Sequence, residues 1–266
     1  MSEEKIRLGG MALPNGVLVH GPSSWACAIR RADGRLEVAS ARKRFRATRV
    51  TSPLLRGPAR LAEALALLPQ VKRKLPAAEL PMQSPRVLVT MVGAAVAVKG
   101  IRGSSRLRPA AQELISGLLS LAPAAFAMRG SELASYHGAE HISIGTYEHG
   151  LGEDGEGATK EHERCGGHLI GPLVVTSAVG NLLAGLVPEH QRGRARAAAQ
   201  FGAIAASTEI FGWMSRHPDT LVAQALSKPG HELQHRFSTA EPSPEQLEVA
   251  EAALAACLEL EHGADA

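Results

Sequence analysis

The sequence predicts an α+β fold, a short N-terminal antiparallel β-meander followed by a mainly helical body that carries an H-x-x-E-H helix. Three observations predict it. Short apolar runs flank an Asp33-Gly34 pair near the N-terminus, leucines recur at helical spacing after Pro58, and a helix-start signature stands at Ser243. Residues 1–52 are expected to form the β-rich segment and residues 53–266 the helical domain with the metal site, as two units or as one continuous domain.

Strands are expected at residues 17–20, 25–31 and 35–39, the last two joined around Asp33-Gly34, a pair that favours tight hairpin turns. Side chains alternate along a strand, so Trp25, Cys27 and Ile29 share a face while Arg30 points away, and one face of the sheet is expected to be buried. Arg42, Lys43, Arg44, Arg46 and Arg49 follow with only Phe45 among them. No nucleic-acid-binding motif surrounds this run, which reads as a solvated strand, and no nucleic-acid partner is expected.

From Pro53 onward helices dominate, with Leu61, Leu65 and Leu68 on one helical face. Residues 75–85 read as a Pro-punctuated connector, 87–98 as an apolar run, and 100–109 as a basic loop containing Gly and Ser. Near the C-terminal end Ser243 can cap a helix, Pro244 suits its first turn, and Gln246 occupies the capping-box position. That helix is expected to end near Glu261 and to dock through Leu247, Ala250, Leu254 and Leu258.

Composition sets further bounds. Aromatic residues are only 3% of the 266, so the interior must be filled by Ala, Leu and Val, and abundant Ala leans the chain toward helix. A net charge of +3 is too small to imply a polyanionic partner. Cys27, Cys165 and Cys257, an odd number at irregular spacing, argue against a disulfide framework and for a reducing compartment. Residues 1–7 are charged with no apolar segment behind them, so a cytoplasmic or membrane-associated location is expected and secretion is not.

Membrane association is left open by residues 169–188, about 20 positions without a formal charge. Thr176, Ser177, Asn181 and Pro172 within it also suit a buried helix of a soluble protein. A second apolar stretch, 197–214, follows Arg192, Arg194 and Arg196 and contains Gln200 and Glu209. Together they read as a helical hairpin, shielded by protein or by lipid.

The residues suited to chemistry cluster in two places. His137, Glu140 and His141 form H-x-x-E-H, the inverted zinc-peptidase motif, in which two His lie one helical turn apart. Side chains four residues apart sit about 5–6 Å from each other on a helix, so both imidazoles can reach one ion, and Glu140 shares their face. Such a Glu can take a proton from water that the ion has acidified. His162 and Cys165 follow in a short loop with His168 just beyond, and His and Cys are the preferred zinc ligands. Tyr147, Glu148, His149 and a Gly-rich stretch at 152–157 lie between, so the loop could fold back over the first cluster. Glu209, set among Ala, Ile and Phe, needs a partner, either a metal or the solvent of an exposed helical face.

Ordered blocks along nearly the whole chain resemble the bacterial YqhQ family, a group of unknown function often described as metal-dependent enzymes. The likeness is carried by Gly9-Gly10-Met11-Ala12 with Asn15-Gly16-Val17, by Arg30 with Asp33-Gly34, and by Pro53-Leu54-Leu55-Arg56-Gly57. Its strongest blocks are 136–141 with Tyr147-Glu148, then His162 with Arg164-Cys165-Gly166, then Pro229-Gly230 with Gln234, Thr239, Glu241-Pro242 and 246–250. The resemblance implies that His137, Glu140, His141, His162 and Cys165 belong to a family pattern, with Glu148 and Glu209 also on family positions. It implies an integral membrane setting too, although the apolar segments here are shortened or broken by polar residues. Asn15 stands where a Glu is usual, Ile142 replaces a Lys, Glu163 replaces a Pro, and Gly167-His168 replaces a small hydroxyl pair. If that Glu is catalytic in the family, this chain is expected to be inactive.

Two functions follow as expectations. One is a metal-dependent hydrolase in which His137, His141 and either Cys165 or His162 hold zinc, or another divalent transition metal, with Glu140 as general base and peptide, amide and lipid-derived ester substrates all open. The other is a membrane-associated, non-enzymatic scaffold whose four ligands His137, His141, His162 and Cys165 close around a structural zinc. The oligomeric state is not fixed by the sequence.

Overall fold

The computed structural model describes residues 5–150 and 158–263, so the expected Gly-rich stretch at 152–157 lies outside the described residues. Four strands come first: β1 (Gly9–Leu13), β2 (Gly16–His20), β3 (Ser24–Arg30) and β4 (Leu36–Arg42). They form one antiparallel meander in the order β1-β2-β3-β4. The Asp-Gly turn forms as expected: Gly34 takes φ +83°, and Asp33 Oδ1 accepts from Arg35 N–H at 3.1 Å. β1 was not among the expected strands, because its Gly-Gly start weakens strand propensity. It is set by the Pro14-Asn15 turn, which pairs Leu13 with Gly16.

Both faces of the sheet are buried, correcting the expectation of one. On one face Val17, Val19, Ala26 and Ala28 pack against α4 (Glu132–His149) and α8 (Pro244–His262) through Leu133, Tyr136, Ala139, Val249, Ala253 and Cys257. On the other, Leu13, Leu18, Trp25, Cys27 and Ile29 meet Leu67 and Val71 of α1 (Pro53–Lys74). The period of two sends alternate residues to opposite sides, and a helix waits on each.

The basic run from Arg42 to Arg49 is exposed at Arg42, Arg44 and Arg49 as expected, but it is not a continuous strand. The strand stops at Arg42, a 3-10 turn spans Ala47–Arg49, and Lys43 is buried in an ion pair with Glu63 of α1 at 3.0 Å. Glu63 accepts from Ala47 N–H as well, at 2.8 Å, so the turn is fastened to α1 instead of running on in solvent.

Ser243 caps α8 as expected, with Ser243 Oγ accepting from Gln246 N–H and Gln246 Oε1 accepting from Ser243 N–H. Its buried stripe is Gln246, Val249, Ala250, Ala253, Cys257 and Glu261. The expected Leu247, Leu254 and Leu258 lie beside that stripe and are only partly buried, because small residues are needed where the helix lies flat on the strands. At its far end the Glu261 carboxylate accepts from Ser23 N–H, Ser24 N–H and both Ser hydroxyls, which ties α8 to the β2–β3 turn.

The remaining helices make a separate layer: α2 (Pro85–Arg102), α3 (Pro109–Met128), α5 (Ile170–Gly185), α6 (Arg192–Arg216) and α7 (Leu221–Leu233). α2 runs three residues into the expected 100–109 loop, and α5 with α6 forms the expected hairpin. Two segments, Pro109–Met128 and Gly166–Gly185, are long and apolar enough to cross a membrane by length and composition. α6 is not one of them.

Candidate metal centre

α4 is held against the sheet by Leu133, Tyr136, Ala139 and Ile144, which leaves His137, Glu140 and His141 along the flank of that contact. Gly138 brings α4 hard against the 238–240 segment: a Cβ there would overlap Ala240 O. That close approach positions His137, the first member of the cluster. His137 Nδ1 donates to Ser238 O at 2.7 Å, and His141 Nδ1 donates to Lys160 O at 2.6 Å. A carbonyl only accepts, so both Nδ1 atoms carry the proton, and both Nε2 lone pairs are free to bind.

The two rings lie with centroids 4.3 Å apart, and Cys165 Sγ lies 3.6 Å from His137 Nε2. One donor atom from each of His137, His141 and Cys165 falls within 4.8 Å of the others. A tetrahedral zinc with one nitrogen and one sulfur ligand separates them by about 3.6 Å, so the donor set and its spacing fit such an ion. Cys165 opens the 3-10 turn Gly166–Leu169, where its sulfur accepts from Gly167 N–H at 3.4 Å. Glu140 lies alongside, its Oε2 3.8 Å from each of the two Nε2 atoms.

Burial disfavours charge throughout this cluster. It lowers His137, lowers His141 to about 3 with His137 adding to the effect, and raises Glu140 to about 7 and Cys165 to about 12. Neutral imidazoles are the form that binds a metal.

His162 is close but turned elsewhere. Its Nδ1 accepts from Arg164 N–H at 3.3 Å and its Nε2 donates to Glu148 Oε2 at 3.3 Å, so no lone pair is left for the cluster. Glu148 also binds Arg164. His168 is buried and turned away, its Nδ1 donating to Ser227 O and its Nε2 accepting from Gln234. Glu209 is remote from the cluster: Arg56 on α1 binds both of its carboxylate oxygens, and that ion pair is the partner its apolar surroundings called for.

Gln234 carries a role that the sequence did not assign. It is fully buried, its Oε1 accepting from His162 N–H at 3.0 Å and its Nε2 reaching His168. Its place in the family-like blocks was the only signal. Asn15 uses its side chain on backbone, donating to Ala77 O and accepting from Glu79 N–H, and fastens the β1–β2 turn to the segment after α1.

A cavity of about 640 Å³ opens onto the cluster, walled by His137, Glu140, His141 and Cys165 on one side and by residues 8–12 of the β1 segment on another. Val87, Met91, Pro123 and Ala127 complete an apolar wall.

Residues 128–260, half of the chain, match a family described as a protein of unknown function (DUF1385), and this span holds α4, the Cys165 turn, Gln234 and most of α8. No curated protein and no solved structure matches.

Proposed function

The chain belongs to the DUF1385 family, whose activity is not known, and we propose from its site that it is a metal-dependent hydrolase of the YqhQ-like kind using zinc or a similar divalent ion. The observation that carries this reading is the convergence of His137, His141 and Cys165 with both Nδ1 protons committed to carbonyls and the remaining side facing a cavity. Three protein ligands and one open position is the catalytic pattern, whereas a structural site is closed by four.

A divalent ion held there supplies Lewis-acid activation of water and of the scissile carbonyl. Glu140 takes the proton of the attacking water and returns it to the leaving group. His162, Glu148 and Arg164 form a polar flank that holds the Cys165 turn in place. Asn15 does not line the cavity, so an Asn at that position leaves the site's donor set complete.

Elemental analysis of the purified protein tests the ligands. About one zinc per chain is expected, with most of it lost in His137→Ala and Cys165→Ala and retained in His162→Ala. Loss in His162→Ala equal to that in His137→Ala sinks the three-ligand assignment. Glu140→Gln, still metal-loaded, should lose about 10²–10⁴-fold in turnover.

A second reading, a membrane-associated scaffold with structural zinc, draws its support from the helical layer. No residue of α2 is buried, and Val89, Val92 and Val96 stand 65% or more exposed. That scaffold needs His162 as fourth ligand, and its Nε2 is engaged with Glu148. Membrane placement on its own is compatible with hydrolysis, and flotation of the full chain with anionic vesicles tests it.

A further inference from the structure

β1 is an edge of the sheet, paired with β2 on one side and with no strand among the described residues on the other. The ladder fixes where its backbone points. Asn15 O accepts from Arg30 N–H at 2.8 Å, so odd-numbered residues of β2 bond to β3 and even-numbered ones to β1. Gly9, Met11 and Leu13 are therefore the bonded partners of His20, Leu18 and Gly16. Gly10 and Ala12 direct N–H and C=O away from the sheet, and among the described residues nothing hydrogen-bonds to them there.

That free edge borders the cavity of the metal cluster. Gly10 is exposed while Ala12 is buried against the core, so the edge is open at Gly10, which sits so closely over Glu140 that a Cβ would overlap the carboxylate. Gly is thus required where the edge passes the general base. An open edge is a template for another strand, and proteins usually blunt such edges with charge, proline or a cover. Residues 8–12 carry none of the charge or proline: they read Leu-Gly-Gly-Met-Ala.

We infer that this site takes an extended peptide segment as substrate, added as a strand along the outer edge of β1 so that one of its backbone amides is presented to Glu140 and the His137, His141, Cys165 cluster. The inference rests on the hydrolase reading and names its substrate class. An added strand lies about 4.8 Å from β1, and the residues of that edge from Gly9 to Ala12 line the cavity. Its alternating N–H and C=O match those of Gly10 and Ala12, a match that an ester-linked acyl chain, having no N–H, does not offer. Alternate side chains of the peptide meet the apolar wall of Val87, Met91, Pro123 and Ala127. In the reaction, water's oxygen bonds to the carbonyl carbon and the C–N bond breaks. The proton accepted by Glu140 passes to the departing amine, and no oxidant or further reactant is needed.

The test reads backbone amide exchange in the full-length, zinc-loaded Glu140→Gln protein, with a mixture of capped hexapeptides of randomised side chains as the probe. Exchange at Gly10 should slow about tenfold or more, with no change at Met11. The same mixture N-methylated at every amide should give no slowing, because it keeps no N–H to donate to the C=O groups of β1. Unchanged exchange at Gly10, or equal slowing by the methylated mixture, overturns the inference. Cleavage of the hexapeptides by the wild-type protein is scored separately. Cleavage without protection at Gly10 leaves the hydrolase reading standing and removes the edge, whereas protection without cleavage does the reverse.

Discussion

The half of the molecule built from the sheet, α1, α4 and α8 differs from the layer of α2, α3, α5 and α6 in which way its polarity faces. In the first, Trp25, Leu18 and Val249 are wholly buried, and outside the candidate site the buried charges Lys43 and Glu261 are partnered, by Glu63 and by two serines. In the second, Val89, Phe126, Leu183 and Leu186 are exposed while the interior holds a polar chain, Arg102 to Glu113, Glu113 to Asn181, and Asn181 to Gln200. The sheet, α4 and α8 are organised as water requires, while α1, buried on its Leu67 and Val71 side, also exposes Leu54, Leu55, Leu61 and Leu65. The second is turned outward, and the candidate cavity lies at the junction, taking its chemistry from one and its apolar wall from the other. A site built this way gets fixed polar groups from a packed core and an apolar lining from helices that need not be packed so tightly.

The largest effect expected from breaking this contrast is at Trp25. Its replacement by Ala leaves a void between the sheet and α1 and should cost about 3–5 kcal/mol, read as a lowered denaturation midpoint. An effect under about 1 kcal/mol would mean that this face is not the tight core described.

Next comes Gln234, which couples the core to the site. Gln234→Leu keeps the volume but leaves His162 N–H without its acceptor, at about 1–3 kcal/mol. Because the same loop delivers Cys165, zinc affinity should fall about 10–100-fold, measured by competition with a chelator. A drop in stability with unchanged zinc affinity would separate the two and leave Gln234 as a core residue only.

The third effect sharpens the contrast through pH. Burial, helped by neighbouring Lys43, lowers His20 to about 4, and Lys43 donates to its Nδ1 at 3.1 Å. The unfolded chain takes up this proton near pH 6.5 and the folded one only near 4. Stability is therefore lost as pH falls through that window, by about 3 kcal/mol, and no further loss comes from this group below it. His20→Gln should flatten the slope between pH 6.5 and 4, and an unchanged slope would place the acid sensitivity elsewhere.

These differences also explain what could be read in the sequence. The Asp33-Gly34 hairpin, the Ser243 cap and the His137, Glu140, His141 face follow from local chemistry and period, and each forms as expected. Which face of α8 is buried, the reach of Lys43 to Glu63 and the pairing of Arg56 with Glu209 depend on contacts across long stretches of chain, which no local pattern encodes. The site divides the same way. Two of the three proposed ligands come from one helical turn and were legible, but that Cys165 and not His162 joins the cluster follows from Glu148, fourteen residues before His162, which engages the imidazole.

The smallest expected effect is at Val89, on the outward face of α2. Val89 is 73% exposed, so Val89→Ser removes almost no buried surface and should change stability in water by no more than about 0.5 kcal/mol. The same change should weaken flotation with vesicles if the layer lies against lipid, because each buried methylene contributes about 0.8 kcal/mol to such contact. A clear loss of stability in water would overturn the contrast from its other side, since it would require α2 to be packed against protein. A substitution silent in both measurements would remove lipid as the explanation for that outward face.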